Sequence, residues 1–129
     1  TGLDSSLGID LHIGDNKSGH LDISDHLGLY YEDLYEPKTD EDKINAVKSH
    51  LTAAQSHLKS ETQNLWVTFT SANKSLFNGP RYYAIDLDIN GKVMRDMDLQ
   101  SSSSPMGIVA TDFPSWGLSR FLIDTNFNY

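Results

Sequence analysis

Asp112 closes the apolar run GIVATD just ahead of Phe113 and Pro114. A carboxylate there has two roles open to it: it can cap a following helix, or it can hold a catalytic imidazole in orientation. Asp33 and Tyr35 stand two apart in YEDLYE. On a strand both would point the same way, one accepting hydroxyl hydrogen bonds and one offering its ring to a sugar-like face. Glu32 and Glu36 extend this into an acidic cluster, but the spaced oxygen ligands of a calcium loop are missing, so no metal is expected. His12, His20 and His26 lack the spacing of a metal motif. His50 and His57 fall on the margin of a helix beside Leu51 and Leu58, where solvated or partly packed imidazoles are the ordinary outcome. A nucleophile elbow, a phosphate-binding loop, a dinucleotide fingerprint and an HExxH pair are all absent from the sequence.

Periodicity and punctuation predict the strands and helices that carry these residues. Residues 1–26 are rich in Gly, Asp, Ser and His and read as loop with one weak strand, Leu7 to Ile13, ending at the turn Gly14-Asp15-Asn16. Leu27 to Tyr35 reads as a strand. Capping and acidic residues at 39–42, with Ile44, Val47, Leu51, Ala54 and Leu58 behind them, predict a helix over about 40–60. Asn64 to Thr70 is a buried strand leading into SANKSLFNGP. Pro80 opens a second helix, with a kink or restart expected at Asn90-Gly91. Gln100 to Ser104 is a polar connection, Met106 to Asp112 a third buried strand, and Trp116 to Asn126 a closing helix. Such alternation predicts an α/β class with parallel strands, whose functional groups collect at the strands' C-terminal ends: Asp33 with Tyr35, Thr70 with Ser71, and Asp112. Three such units leave two exposed sheet edges, a condition that suits part of a closed barrel better than a free-standing domain.

Composition narrows the function classes. At 129 residues the chain is a single domain, 1–129, with 38% hydrophobic and 22% charged residues. Ten Lys and Arg against 18 Asp and Glu give a formal charge of −8, which repels a phosphate backbone, so nucleic acid is not expected as a partner. No apolar run reaches the roughly 20 residues of a membrane span. Without cysteine there is neither a disulfide framework nor a thiolate site, and the compartment is left open. The chain begins at Thr1 with no initiator Met or leader, the expectation for a processed or excised piece. Sequons occur at Asn16 and Asn73, close to the roughly one that chance yields in so Asn- and Ser-rich a chain.

The ordered series GDN, YEDLYEP, DEDKINAVKSHLTAAQ, NLWVTFTSA, FNGPRYYA and MGIVATDFPSWGLSRFLIDTNF resembles the C-terminal half of the phosphatidylinositol-specific phospholipase C family of bacterial and fungal type. The resemblance covers nearly the whole chain. It implies a fold that is the second half of a distorted (β/α) TIM-type barrel, about three strand–helix units, completed by a missing N-terminal half on a second chain or by a second copy. It implies a secreted enzyme that needs no cofactor. That enzyme works at the membrane surface, where the inositol 2-hydroxyl attacks phosphorus to give a cyclic inositol phosphate and diacylglycerol. By motif, Asp112 resembles the carboxylate that holds the general base, and Asp33 and Tyr35 resemble the pair that bonds and covers the inositol ring. Leu76, Phe77, Tyr82 and Tyr83 resemble the membrane-facing rim, with helix and loop packing as the other role for the two tyrosines. The family's two catalytic histidines and its arginine belong to the other half, so the chain alone is expected to be inactive. The competing class is a non-catalytic module that binds an inositol, a sugar or a protein around Asp33 and Tyr35.

Overall fold

Ile44, Val47, Leu51 and Ala54 are buried along one side of helix α1, Asp40–Leu58, as their spacing demands. A capping box fixes its start: Thr39 Oγ1 accepts the Asp42 N–H at 3.1 Å, and Asp42 Oδ2 accepts the Thr39 N–H at 2.9 Å. The computed structural model describes residues 17–58, 64–75, 77–99 and 105–127. Before α1 come β1, Lys17–Ser24, and β2, Leu27–Asp33. After it come β3, Leu65–Phe69; a π-helical turn, Tyr82–Asp86; α2, Ile89–Leu99; β4, Ile108–Ala110; and α3, Trp116–Phe127. The four strands form one sheet in the order β1-β2-β3-β4, with β2, β3 and β4 mutually parallel. The molecule is mixed α/β.

Strand β1 corrects the expectation of loop through residue 26. It pairs antiparallel with β2 through the turn Asp25-His26, from Lys17 opposite Asp33 to Ser24 opposite Leu27, with a register shift between Asp22 and Ser24. KSGHLDIS carries little strand propensity of its own, and the apolar edge of β2 supplies what the local sequence lacks. The alternating stretch at 7–13, Leu76 and the Gln100 to Ser104 connection lie outside the described residues.

The second helical region also breaks, just upstream of Asn90-Gly91. The Leu87 N–H donates to the Tyr82 carbonyl at 2.8 Å, the five-residue step of a π turn. Asp88 then takes φ 53°, and its Oδ1 accepts the Gly91 N–H at 3.2 Å to cap α2. Asn90 and Gly91 therefore form the first turn of α2, and the break belongs to the Asp before them.

Contacts and register assign the two faces of the sheet. Glu32 of β2 and Thr68 of β3 meet Lys43 and His50 of α1, so Val67, Phe69, Ile108 and Ala110 point the other way. Helix α1 packs on β2 and β3, α2 on α1, and α3 on α2. Val47, Leu51, Tyr83, Ile89, Val93 and Met106 make the core of this layer. On the opposite face exposure rises toward β4, reaching 39% at Leu65 and 56% at Ile108. Gly107, at φ +76°, delivers the chain into β4, where a Cβ would stand only 2.5 Å from the Trp66 carbonyl oxygen.

Candidate functional site

The parallel strands finish along one edge of the sheet, and the polar residues predicted for that edge stand there. Thr70, just past β3, donates its N–H to the Ala110 carbonyl at 2.9 Å, which carries the pairing with β4 beyond the strand. Asp112 follows β4 by two residues and is half-buried. Its backbone is fixed from α2: Asn90 Nδ2 donates to the Asp112 carbonyl at 3.3 Å, and Thr111 Oγ1 donates to Asn90 Oδ1 at 3.0 Å. Asn90 is itself 4% exposed. Phe113, next in the chain, sits at φ 51°, a conformation uncommon for an aromatic residue and a local strain beside the carboxylate. The capping role is taken by another residue, since Ser115 Oγ accepts the Leu118 N–H at 3.1 Å at the start of α3.

Asp33 is the last residue of β2, so strand alternation stops before Tyr35. A tight turn orders them instead: the Tyr35 N–H donates to the Asp33 carbonyl at 2.9 Å, and the Asn73 N–H donates to the Tyr35 carbonyl at 2.6 Å. Both side chains are half-buried. Glu32 does not join them. It points into the helix layer, 1% exposed, where Lys43 Nζ donates to both its oxygens at 3.0 and 3.2 Å. Burial pushes the Glu32 carboxyl up and the Lys43 ammonium down from their ordinary values, and their mutual attraction opposes both shifts. The acidic cluster is thus split between two faces, and among the described residues no group of three or more His, Asp or Glu is arranged to hold a metal ion.

The expected rim divides. Phe77 is 90% exposed, on the loop after β3. Tyr83 is fully buried in the core, which corrects its reading as a surface contact, and Tyr82 is half-buried. Both hydroxyls donate to Asp40, at 2.9 Å from Tyr82 and 3.2 Å from Tyr83. The hydrogen bond to Asp40 raises the Tyr82 phenol above its ordinary range, and burial, with Asp40 beside it, raises that of Tyr83. Packing wins because these rings tie the post-β3 segment to the start of α1. Phe113, 56% exposed, follows Asp112 directly, and Trp116, 81% exposed, opens α3 three residues further on. Sequence reasoning placed Trp116 only as the start of a helix, and its outward direction follows from Leu118 being the residue of that turn that is buried.

The described histidines are held by other partners. His26 is in the β1–β2 turn, and His20 stacks on Tyr30, which stacks on Trp66, each pair 4.3 Å apart. His50 and His57 each lie 5.1 Å from the Trp66 ring. His50 Nδ1 is 2.8 Å from Thr68 Oγ1, and burial lowers its pKa to about 4.

No family model and no curated protein matches the chain. Solved structures do. One form of the phosphatidylinositol-specific phospholipase C of Staphylococcus aureus superposes with a TM-score of 0.75 at 24% identity, over 90% of this chain and 40% of its own. A double mutant of that enzyme gives 0.75 at 26%, and a form concerned with modulation of its membrane binding gives 0.74 at 25%, each over 90% of this chain and 39% of its own. The chain has the fold of part of that phospholipase and spans about two fifths of its length.

Proposed function

We propose that this chain, 1–129, is the C-terminal portion of a metal-independent, phosphatidylinositol-specific phospholipase C-like phosphodiesterase. An N-terminal half, on a second chain or supplied through a second copy, completes the barrel. One observation carries it: the likeness to the S. aureus enzyme over 90% of the chain, with Asp33, Tyr35 and Asp112 all at the strand ends. Asp112, relieved of capping by Ser115, holds a general-base histidine from the other half in orientation. That histidine takes the proton of the inositol 2-hydroxyl as its oxygen attacks phosphorus. A second histidine protonates the departing diacylglycerol oxygen, leaving a cyclic inositol phosphate. Asp33 bonds inositol hydroxyls, Tyr35 covers the ring, and Phe77 touches the surface of the membrane on which a secreted enzyme of this kind works.

A second reading, a non-catalytic binder of inositol, a sugar or a protein around Asp33, draws on the half-buried Asp33–Tyr35 turn itself, held by the Tyr35 N–H on the Asp33 carbonyl and the Asn73 N–H on the Tyr35 carbonyl. Asp112→Asn in the complete protein separates the two. For the enzyme, turnover of phosphatidylinositol drops on the order of 10²-fold or more while circular dichroism and thermal midpoint are retained. Unchanged turnover removes Asp112 from the mechanism, and a complete protein with no turnover that still binds myo-inositol establishes the binder.

A further inference from the structure

The ion pair between Glu32 and Lys43 is the most deeply buried pair of opposite charges among the described residues, with side chains 1% and 0% exposed. Stability alone does not account for it, since well-packed apolar residues of the same volume usually serve as well or better. Lys43 is also in the first turn of α1, where the helix dipole disfavours a cation. What apolar residues cannot do is accept a hydrogen bond. Glu32 Oε1 accepts the Leu34 N–H at 2.9 Å, just where the chain leaves β2 and the ladder to β3 has ended at Thr68. Leu34 lies between Asp33 and Tyr35.

We propose that the Glu32–Lys43 pair is a positioning device for the turn carrying Asp33 and Tyr35: Lys43 anchors the carboxylate inside the helix layer, and the carboxylate fixes the backbone between the two ligand residues. This rests on the assignment of Asp33 and Tyr35 to the inositol ring. With the Asp33 carbonyl holding the Tyr35 N–H and the Asn73 N–H holding the Tyr35 carbonyl, every residue of the turn is then pinned by its backbone. With the backbone ordered beforehand, the ordering cost at binding is reduced to that of the two side chains.

The test uses the complete protein, with amide hydrogen exchange, myo-inositol titration and steady-state kinetics on Glu32→Leu/Lys43→Met and on Asp33→Ala. In the double variant the Leu34 and Tyr35 amides should exchange about tenfold faster, and myo-inositol should bind about tenfold more weakly, with KM raised more than kcat is lowered. Glu32→Met/Lys43→Met, which likewise removes the acceptor, stands in and is read the same way if the first double variant does not fold. Unchanged protection at Leu34 overturns the proposal. So does faster exchange with unaltered myo-inositol affinity while Asp33→Ala weakens binding. If Asp33→Ala itself leaves affinity unchanged, the ligand assignment fails, and exchange at Leu34 still shows separately whether the pair holds the turn.

Discussion

Ser115 and Asn90 decide what Asp112 is available to do. The sequence leaves that carboxylate two roles, because an Asp before a helix and an Asp at a strand end look alike in one dimension. Ser115 takes the cap and Asn90 takes the Asp112 backbone carbonyl, so the carboxylate is not the cap of α3. Asn90 itself was legible only as half of an Asn-Gly turn signal, since its partner lies 22 residues away. His50 shows the same dependence on distant partners: helical spacing puts it on the margin of α1, and only Trp66 and Thr68 make that margin an interior. Its depressed pKa has a consequence for stability. Protonation favours the unfolded chain, so the contribution of neutral His50 is complete above the ordinary histidine value of 6.5 and is lost as pH falls toward about 4. Urea unfolding of wild type and His50→Gln at pH 7 and pH 4.5 should show the gap between them narrowing by on the order of 2 kcal/mol at the lower pH. A gap that stays constant would mean the imidazole is not buried in its neutral form.

At the scale of elements, glycines at two places give opposite expectations. Gly107→Ala forces an L residue to φ +76° against the Trp66 carbonyl and should cost about 1–3 kcal/mol, displacing β4 and the Asp112 it leads to. Gly117→Ala, on the first turn of α3 with Met94 3.8 Å away, meets only ordinary contact and should be neutral or stabilising by about 0.5 kcal/mol. Thermal or urea midpoints of the two variants check this, and equal effects would remove the special role of Gly107. Helix α1 was the most legible element, because its apolar repeat and capping box are local. Strands β2, β3 and β4 were legible as compact apolar runs, with ends that shifted by a few residues. Strand β1 was not, because its pairing is imposed by β2, and the break before α2 was placed slightly late, because Asp88 rather than Gly91 takes the left-handed conformation.

For the whole molecule the governing feature is an unequal sheet. One face carries α1 and the core behind it, while Leu65 and Ile108 on the other face are exposed beside half-buried Val67 and Phe69. Apolar surface of this kind is ordinarily covered by a partner or by the rest of a fold. In sedimentation velocity, the chain alone should associate with rising concentration. Ile108→Lys should reduce that association with little change in the thermal midpoint, and supplying an N-terminal half should suppress it. A chain that stays monomeric with that face open would count against the divided barrel.

The α/β alternation, the long first helix and the position of Asp33, Thr70 and Asp112 at or just past strand ends are legible in one dimension, because all three rest on local periodicity and on the polarity of parallel strands. Packing settles the rest: Tyr83 is core, Glu32 turns away from Asp33 to meet Lys43, Ser115 and not Asp112 caps α3, and residues 17–24 form a strand. Each of these depends on which of several possible partners a side chain or backbone group reaches in space, and that choice is made when the elements pack.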